Sequence, residues 1–68
     1  MERKSFGENL KKERKLAGLT QQQLAEKLGI KQQQLSEWEC GRVEPTVFNI
    51  VAIVKALGIT YDELFEDL

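Results

Sequence analysis

Sixty-eight residues at 7.8 kDa leave room for one domain with a small core, because folding at this size buries only roughly 60% of the unfolded chain's surface. With 41% hydrophobic and 31% charged residues, one Pro and a lone Cys40, the chain is neither disordered, collagen-like nor framed by disulfides. A net charge of −1, no histidine and five glycines that stand singly at 7, 18, 29, 41 and 58 exclude a zinc site, a histidine base and a Gly-rich phosphate loop, so a cofactor-free, metal-free binding protein is expected and not an enzyme.

Helix signals punctuate the chain in order. Ser5 with Glu8 has capping-box spacing and Gly18 suits a left-handed stop, which predicts a first helix near 5–17 with Phe6, Leu10 and Ala17 on its apolar stripe. Thr20 with Gln23 opens a second helix, 21–28, closed by Gly29, with Leu24, Ala25 and Leu28 inward. A third, 32–40, carries Leu35 and Trp38 and stops at Gly41. Pro45 and the cap Thr46 precede a fourth, 47–57, apolar nearly all round (Val47, Phe48, Ile50, Val51, Ile53, Val54, Leu57) and therefore expected to run through the centre. Thr60 with Glu63 starts a fifth, 61–67, whose stripe is Tyr61, Leu64, Phe65 and Leu68. Ile30 and Ile59 follow stop glycines, where an apolar residue packs back on the helix just ended. No alternating strand pattern interrupts this all-α reading.

Only Gly29-Ile30-Lys31 joins the second helix to the third, the short Gly-containing turn of a helix-turn-helix. All six glutamines lie in two triplets, one opening each of these helices. With Leu35 and Trp38 inward, at about 100° per residue, Gln33 and Glu37 lie opposite and Gln32, Gln34 and Ser36 flank them. Such a face suits base edges better than phosphates: Gln bonds adenine N6 and N7 bidentately, and a carboxylate accepts from cytosine N4. Lys31 stands in the N-cap region, where a cation meets the positive helix end, a placement that makes sense beside a phosphate. Gln21 opens the second helix, whose free N–H groups are themselves a phosphate site. Charge is polarised as well: residues 1–31 carry +4 and residues 32–68 carry −5, so a basic face is available despite the acidic total.

In order and at this spacing, Leu10, Arg14, Gly18-Leu19-Thr20-Gln21, Leu24-Ala25, Leu28-Gly29-Ile30, Leu35-Ser36, Trp38-Glu39, Gly41, Pro45, Leu57-Gly58-Ile59 and Asp62-Glu63-Leu64-Phe65 resemble the lambdoid phage repressor and Cro-like (XRE-type) family of helix-turn-helix regulators. The resemblance spans about residues 6–65 and implies a compact five-helix DNA-binding domain over 1–68 with its helix-turn-helix at 21–40. It implies that helix 32–40 lies in the major groove and that Gln32, Gln33 and Glu37, with Gln34 at the margin, contact bases. It makes Gln21 a phosphate contact that braces the first residue of the recognition helix, and Arg42 a second backbone contact. Arg14 and Glu39 match an internal ion pair. Lys31 departs from the family's usual Ser or Thr, and Glu44 stands where many relatives are basic, which weakens phosphate affinity.

The expected function is sequence-specific recognition of a pseudo-palindromic double-stranded operator by a homodimeric repressor. With no room for a separate dimerisation domain in 68 residues, Tyr61, Phe65 and Leu68 are the candidate dimer surface. A protein-interaction module of the same fold, of antirepressor or antitoxin kind, is the alternative, supported by the acidity and by Glu37 on the reading face. Cys40, beside Gly41, offers a weaker redox reading, countered by Glu39 next to the thiol. No apolar run approaches the roughly 18 residues of a membrane span, and Met1-Glu2-Arg3-Lys4 precedes no signal-type apolar segment, so a cytoplasmic protein is expected, bacterial or phage-encoded.

Overall fold

In the computed structural model, which describes residues 5–68, five helices follow one another: α1 (Phe6–Leu16), α2 (Gln21–Leu28), α3 (Gln32–Glu39), α4 (Val47–Leu57) and α5 (Tyr61–Leu64). Arg3 and Lys4, counted above in the basic half, and the reading of residues 1–4 as no leader lie outside the described residues. α2 packs on α3 and α4, and α1 packs on α3 and α5. Leu10, Leu24, Ala25, Leu35, Trp38, Ile53 and Leu64 form the buried core, one or two residues from every helix, with Ile30 and Ile59 packed against its edge. Among the described residues no helix is long and apolar enough to cross a membrane.

The helix starts follow the local code. Thr20 and Thr60 each make a full capping box with Gln23 and Glu63, while the Ser5 and Thr46 hydroxyls accept from the Glu8 and Asn49 amides. At Thr60 the backbone N–H and then the hydroxyl donate to Glu63, and these bonds hold its carboxyl below the ordinary value of 4.5. Gly29 and Gly58 close α2 and α4 at φ 70° and 66°, the left-handed conformation that a Cβ disfavours. Ile30 and Ile59 then return their amides to Ala25 and Val54.

Four expectations are corrected. α4 does not run through the centre: only Ile53 is fully buried, while Val47 and Phe48 are 72% and 86% exposed. Five helices around so small a core can cover only one side of α4, and its apolar outer face stays in solvent. α1 stops at Leu16 with Ala17 as an exposed C-cap, so Ala17 is no part of the buried stripe, and α3 ends at Glu39 with Cys40 as its cap. α5 covers Tyr61–Leu64 and not 61–67, and of its predicted stripe only Leu64 is buried.

The early end of α5 has a cause in α1. The buried Asn9 amide donates to the Leu64 carbonyl at 3.1 Å, the acceptor that the Leu68 N–H would use if α5 ran on, and to the Glu66 carbonyl at 2.8 Å. The chain turns there, and Asp67 adopts φ 62°. Phe65 folds back onto Phe6, with ring centroids 5.5 Å apart. Asn9→Ala leaves both carbonyls without their donor and is expected to lower stability by about 1–3 kcal/mol. Urea unfolding checks this, and a midpoint equal to that of the parent protein rules the clamp out as a stabilising contact.

Candidate nucleic-acid interface

α3 is held from behind and free in front. Leu35 and Trp38 are buried in the core, and Glu39 is 7% exposed at the far end of the helix. There α1 crosses so closely at Gly7 that a Cβ built on it would meet the carbonyl oxygens of Glu39 and Trp38, the second at 2.6 Å. Gln32, Gln33 and Gln34 are all exposed, side by side at the N-terminal end, and Glu37 is half-buried one turn on from Gln33. The N-terminal half of the free face therefore offers neutral amides, and its single carboxylate stands nearer the C-terminal end.

Lys31 takes the N-cap position of α3 with extended backbone (φ −78°, ψ 145°) and makes no capping hydrogen bond. The N–H groups that begin α3 thus lack a side-chain cap, and a cation stands exposed beside them. Arg42 is exposed in the turn after α3, where the amides of Arg42 and Val43 both donate to the Glu37 carbonyl, at 3.0 and 3.3 Å, and close the helix. Lys31 and Arg42 thus stand exposed immediately before and shortly after α3.

Behind the face lies a buried polar cluster. Arg14 Nε donates to Glu39 Oε2 at 2.7 Å and Nη2 to Oε1 at 3.1 Å, a two-pronged pair that joins α1 to the end of α3. A third guanidinium bond reaches the Leu19 carbonyl at 2.8 Å, tying in the turn before α2. Gln21 Nε2 donates to Glu39 Oε1 at 3.1 Å, and Gln21 Oε1 accepts from Gln32 Nε2 across a long 3.5 Å. Composition and helical periodicity leave Arg14 and Glu39 as surface charges, since no local pattern pairs residues 25 positions apart; the family resemblance is the only sequence signal for them. Asn9 and Gly7 carried no signal at all.

A cleft of about 190 Å³, lined by Lys11, Gln21, Ser36, Glu39 and Cys40, opens beside this cluster. Cys40 is exposed, and its thiol donates to the Glu37 carbonyl at 3.4 Å. No three His, Cys, Asp or Glu side chains converge as metal ligands among the described residues. Tyr61, Phe65 and Leu68, in the acidic C-terminal part of the chain, are 48%, 38% and 54% exposed.

Two helices joined by a three-residue turn, the second clamped behind and presenting amides in front, define a helix-turn-helix protein. The helix-turn-helix family model HTH_3 matches residues 10–64, and the chain belongs to that family. It is similar to the HTH-type transcriptional regulator y4dJ of Sinorhizobium fredii, 40% identical over 62 residues that make up 91% of this chain and 80% of that one. The phage CTXphi transcriptional repressor RstR of Vibrio cholerae is 40% identical over 57 residues, 84% of this chain, which spans only 51% of RstR's length. Among solved structures, the P22 c2 repressor in complex with a synthetic operator superposes with a TM-score of 0.84 at 29% identity, over 96% of this chain and 98% of that one. The resemblance to phage repressors and the all-α five-helix fold read from the sequence both hold.

Proposed function

We propose that this protein is a transcription regulator that binds double-stranded DNA sequence-specifically, acting as a repressor and reading a pseudo-palindromic operator as a homodimer. It acts by occupancy and not by catalysis. The observation that carries the reading is the run of three exposed, uncharged glutamines at the N-terminal end of α3, on a helix whose other side is fixed in the core. A regulator reads base edges with short, directional donor–acceptor groups, and those groups discriminate only when their helix cannot shift. Gln32, Gln33, Gln34 and Glu37 are the base readers in this reading, and Gln21, Lys31 and Arg42 hold the backbone. Dimerisation brings two such helices about 34–36 Å apart, one turn of the duplex. Tyr61, Phe65 and Leu68 provide exposed apolar surface for it.

The exposed Val47 and Phe48 favour a second reading, a module of the same fold that binds a protein through α4. Selection against a random duplex library at two salt concentrations separates the two. An enriched two-fold motif whose affinity falls with a slope of about −0.9 per phosphate contacted supports the operator reading; weak, salt-insensitive binding without enrichment rejects it. On the enriched duplex, Gln33→Ala is expected to cost about 1–3 kcal/mol while hardly changing affinity for unrelated DNA. Lys31→Ala is expected to weaken all duplexes alike and to make the salt slope shallower by about 1. Equal effects of the two substitutions on cognate and unrelated duplexes would contradict this division of labour.

A further inference from the structure

We propose that the cleft between α1 and α3 seats a phosphodiester of the duplex backbone, with Lys11 of α1 as its cationic anchor. The proposal rests on the DNA-binding reading above and adds the first helix to the surface that meets DNA.

The cleft runs on from the reading face. Gln32, Ser36 and Cys40 follow one another at four-residue spacing, so they form a single row along one edge of α3. Ser36 and Cys40 line the cleft, and Gln21, which also lines it, is touched by Gln32 at 3.5 Å. A helix that sets Gln32 against base edges therefore brings the backbone of one strand along this row.

The charge of the cleft suits that strand. Among the described residues that line it, Glu39 is the one carboxylate, and both of its oxygens accept from Arg14, with Oε1 accepting from Gln21 as well. The pair cancels, which leaves Lys11 as the uncompensated charge. Among the described residues the exposed Lys11 ammonium has no carboxylate partner, whereas Lys12 beside it reaches Glu13 and Glu66, each at 3.7 Å. A free ammonium over a neutralised floor holds a phosphate as a point charge. Two donors are unspent as well. The Ser36 hydroxyl makes no hydrogen bond with the described residues, and Gln21 has used only one of its two N–H groups on Glu39 and none elsewhere. The volume of about 190 Å³ accommodates a tetrahedral phosphate together with water.

The test uses the full chain and the duplex enriched in the selection, titrated over a range of salt concentrations. Lys11→Gln is expected to weaken binding about fivefold per bound protomer near 0.1 M salt, on cognate and unrelated duplexes alike. The salt slope becomes shallower by about 0.9 per protomer. Because Lys11 is exposed, the substitution leaves the core intact. Lys15→Gln makes the same charge change one turn further along α1, outside the lining of the cleft, and is expected to cost less than about twofold. The phosphates of the operator are then replaced one at a time by neutral methylphosphonates. At one position in each half-site the two losses do not add: the replacement weakens the parent protein but changes the affinity of Lys11→Gln by less than about twofold. A selection that enriches no duplex defeats the DNA-binding reading and the phosphate seat with it. Three results on an enriched duplex overturn the seat and leave the DNA-binding reading standing: Lys11→Gln with the affinity and salt slope of the parent, Lys15→Gln losing as much as Lys11→Gln, or no single phosphate coupled to Lys11.

Discussion

Glu39→Ala is expected to destabilise the protein by about 3–5 kcal/mol, the cost of leaving the Arg14 guanidinium buried without its counter-charge. For a domain of this size each kcal/mol moves the melting midpoint by roughly 4–8 °C, so the loss amounts to well over 10 °C. The magnitude follows from burial: the Arg14 and Glu39 side chains are only 8% and 4% exposed, whereas an exposed pair is worth roughly 0–1 kcal/mol. Replacing both partners by methionine removes the charges together and is expected to recover most of that loss, since no buried ion is then left alone. Recovery stays incomplete, because the Arg14 bond to the Leu19 carbonyl and the Gln21 bond to Glu39 also disappear. Thermal unfolding of the single and double variants decides the matter. A Glu39→Ala midpoint within a degree or two of the parent's would mean that water reaches Arg14 and that the pair does not brace α3.

Gly7→Ala comes next in size, and its sign is the informative part. In an exposed helix this exchange stabilises by about 1 kcal/mol, because alanine loses less backbone freedom and is the better helix former. At Gly7, however, the added methyl would collide with the carbonyl oxygens of Glu39 and Trp38, which are backbone atoms that cannot swing aside. α1 and the end of α3 must then separate. Overpacking costs about 1–3 kcal/mol, and the separation also strains the Arg14–Glu39 pair two turns further along α1. A net destabilisation of about 1–2 kcal/mol is expected, measured by urea unfolding. DNA affinity should fall along with it, because the C-terminal end of α3 loses its seat. A stabilised Gly7→Ala protein would show that α1 approaches α3 less closely than 2.6 Å to the Trp38 oxygen implies.

Both variants act where distant segments meet, and that separates what the sequence makes legible from what it does not. Glutamines 32–34 could be placed on the free face of α3 because Leu35 and Trp38 fix the inward side of a 3.6-residue period. The same logic failed for α4, where apolar residues occur all round and periodicity cannot say which of them the small core will cover. Phe48, expected inside, is the most exposed large apolar side chain of the described residues. Gln21 and Lys31 were legible as helix-start residues, but that Gln21 bridges Glu39 and Gln32 is not a local property.

What the sequence by itself determined is the set of helices and where most of them begin and end. Thr20 with Gln23, Thr46 with the Asn49 amide, and Gly29 and Gly58 at their left-handed stops act over three or four residues, so their physics is complete in a short window. The tertiary structure alone decided the rest. Asn9 ends α5 by taking carbonyls 55 and 57 positions away, Arg14 finds its acceptor 25 positions on, and Gly7 is needed only because α3 passes over it. Each of these is a polar or steric demand created by packing: once helices are driven together to bury Leu10, Leu35 and Trp38, buried donors and charges such as the Asn9 NH₂ and the Arg14 guanidinium need partners in whatever segment arrives beside them, although the Asn9 Oδ1 stays without one.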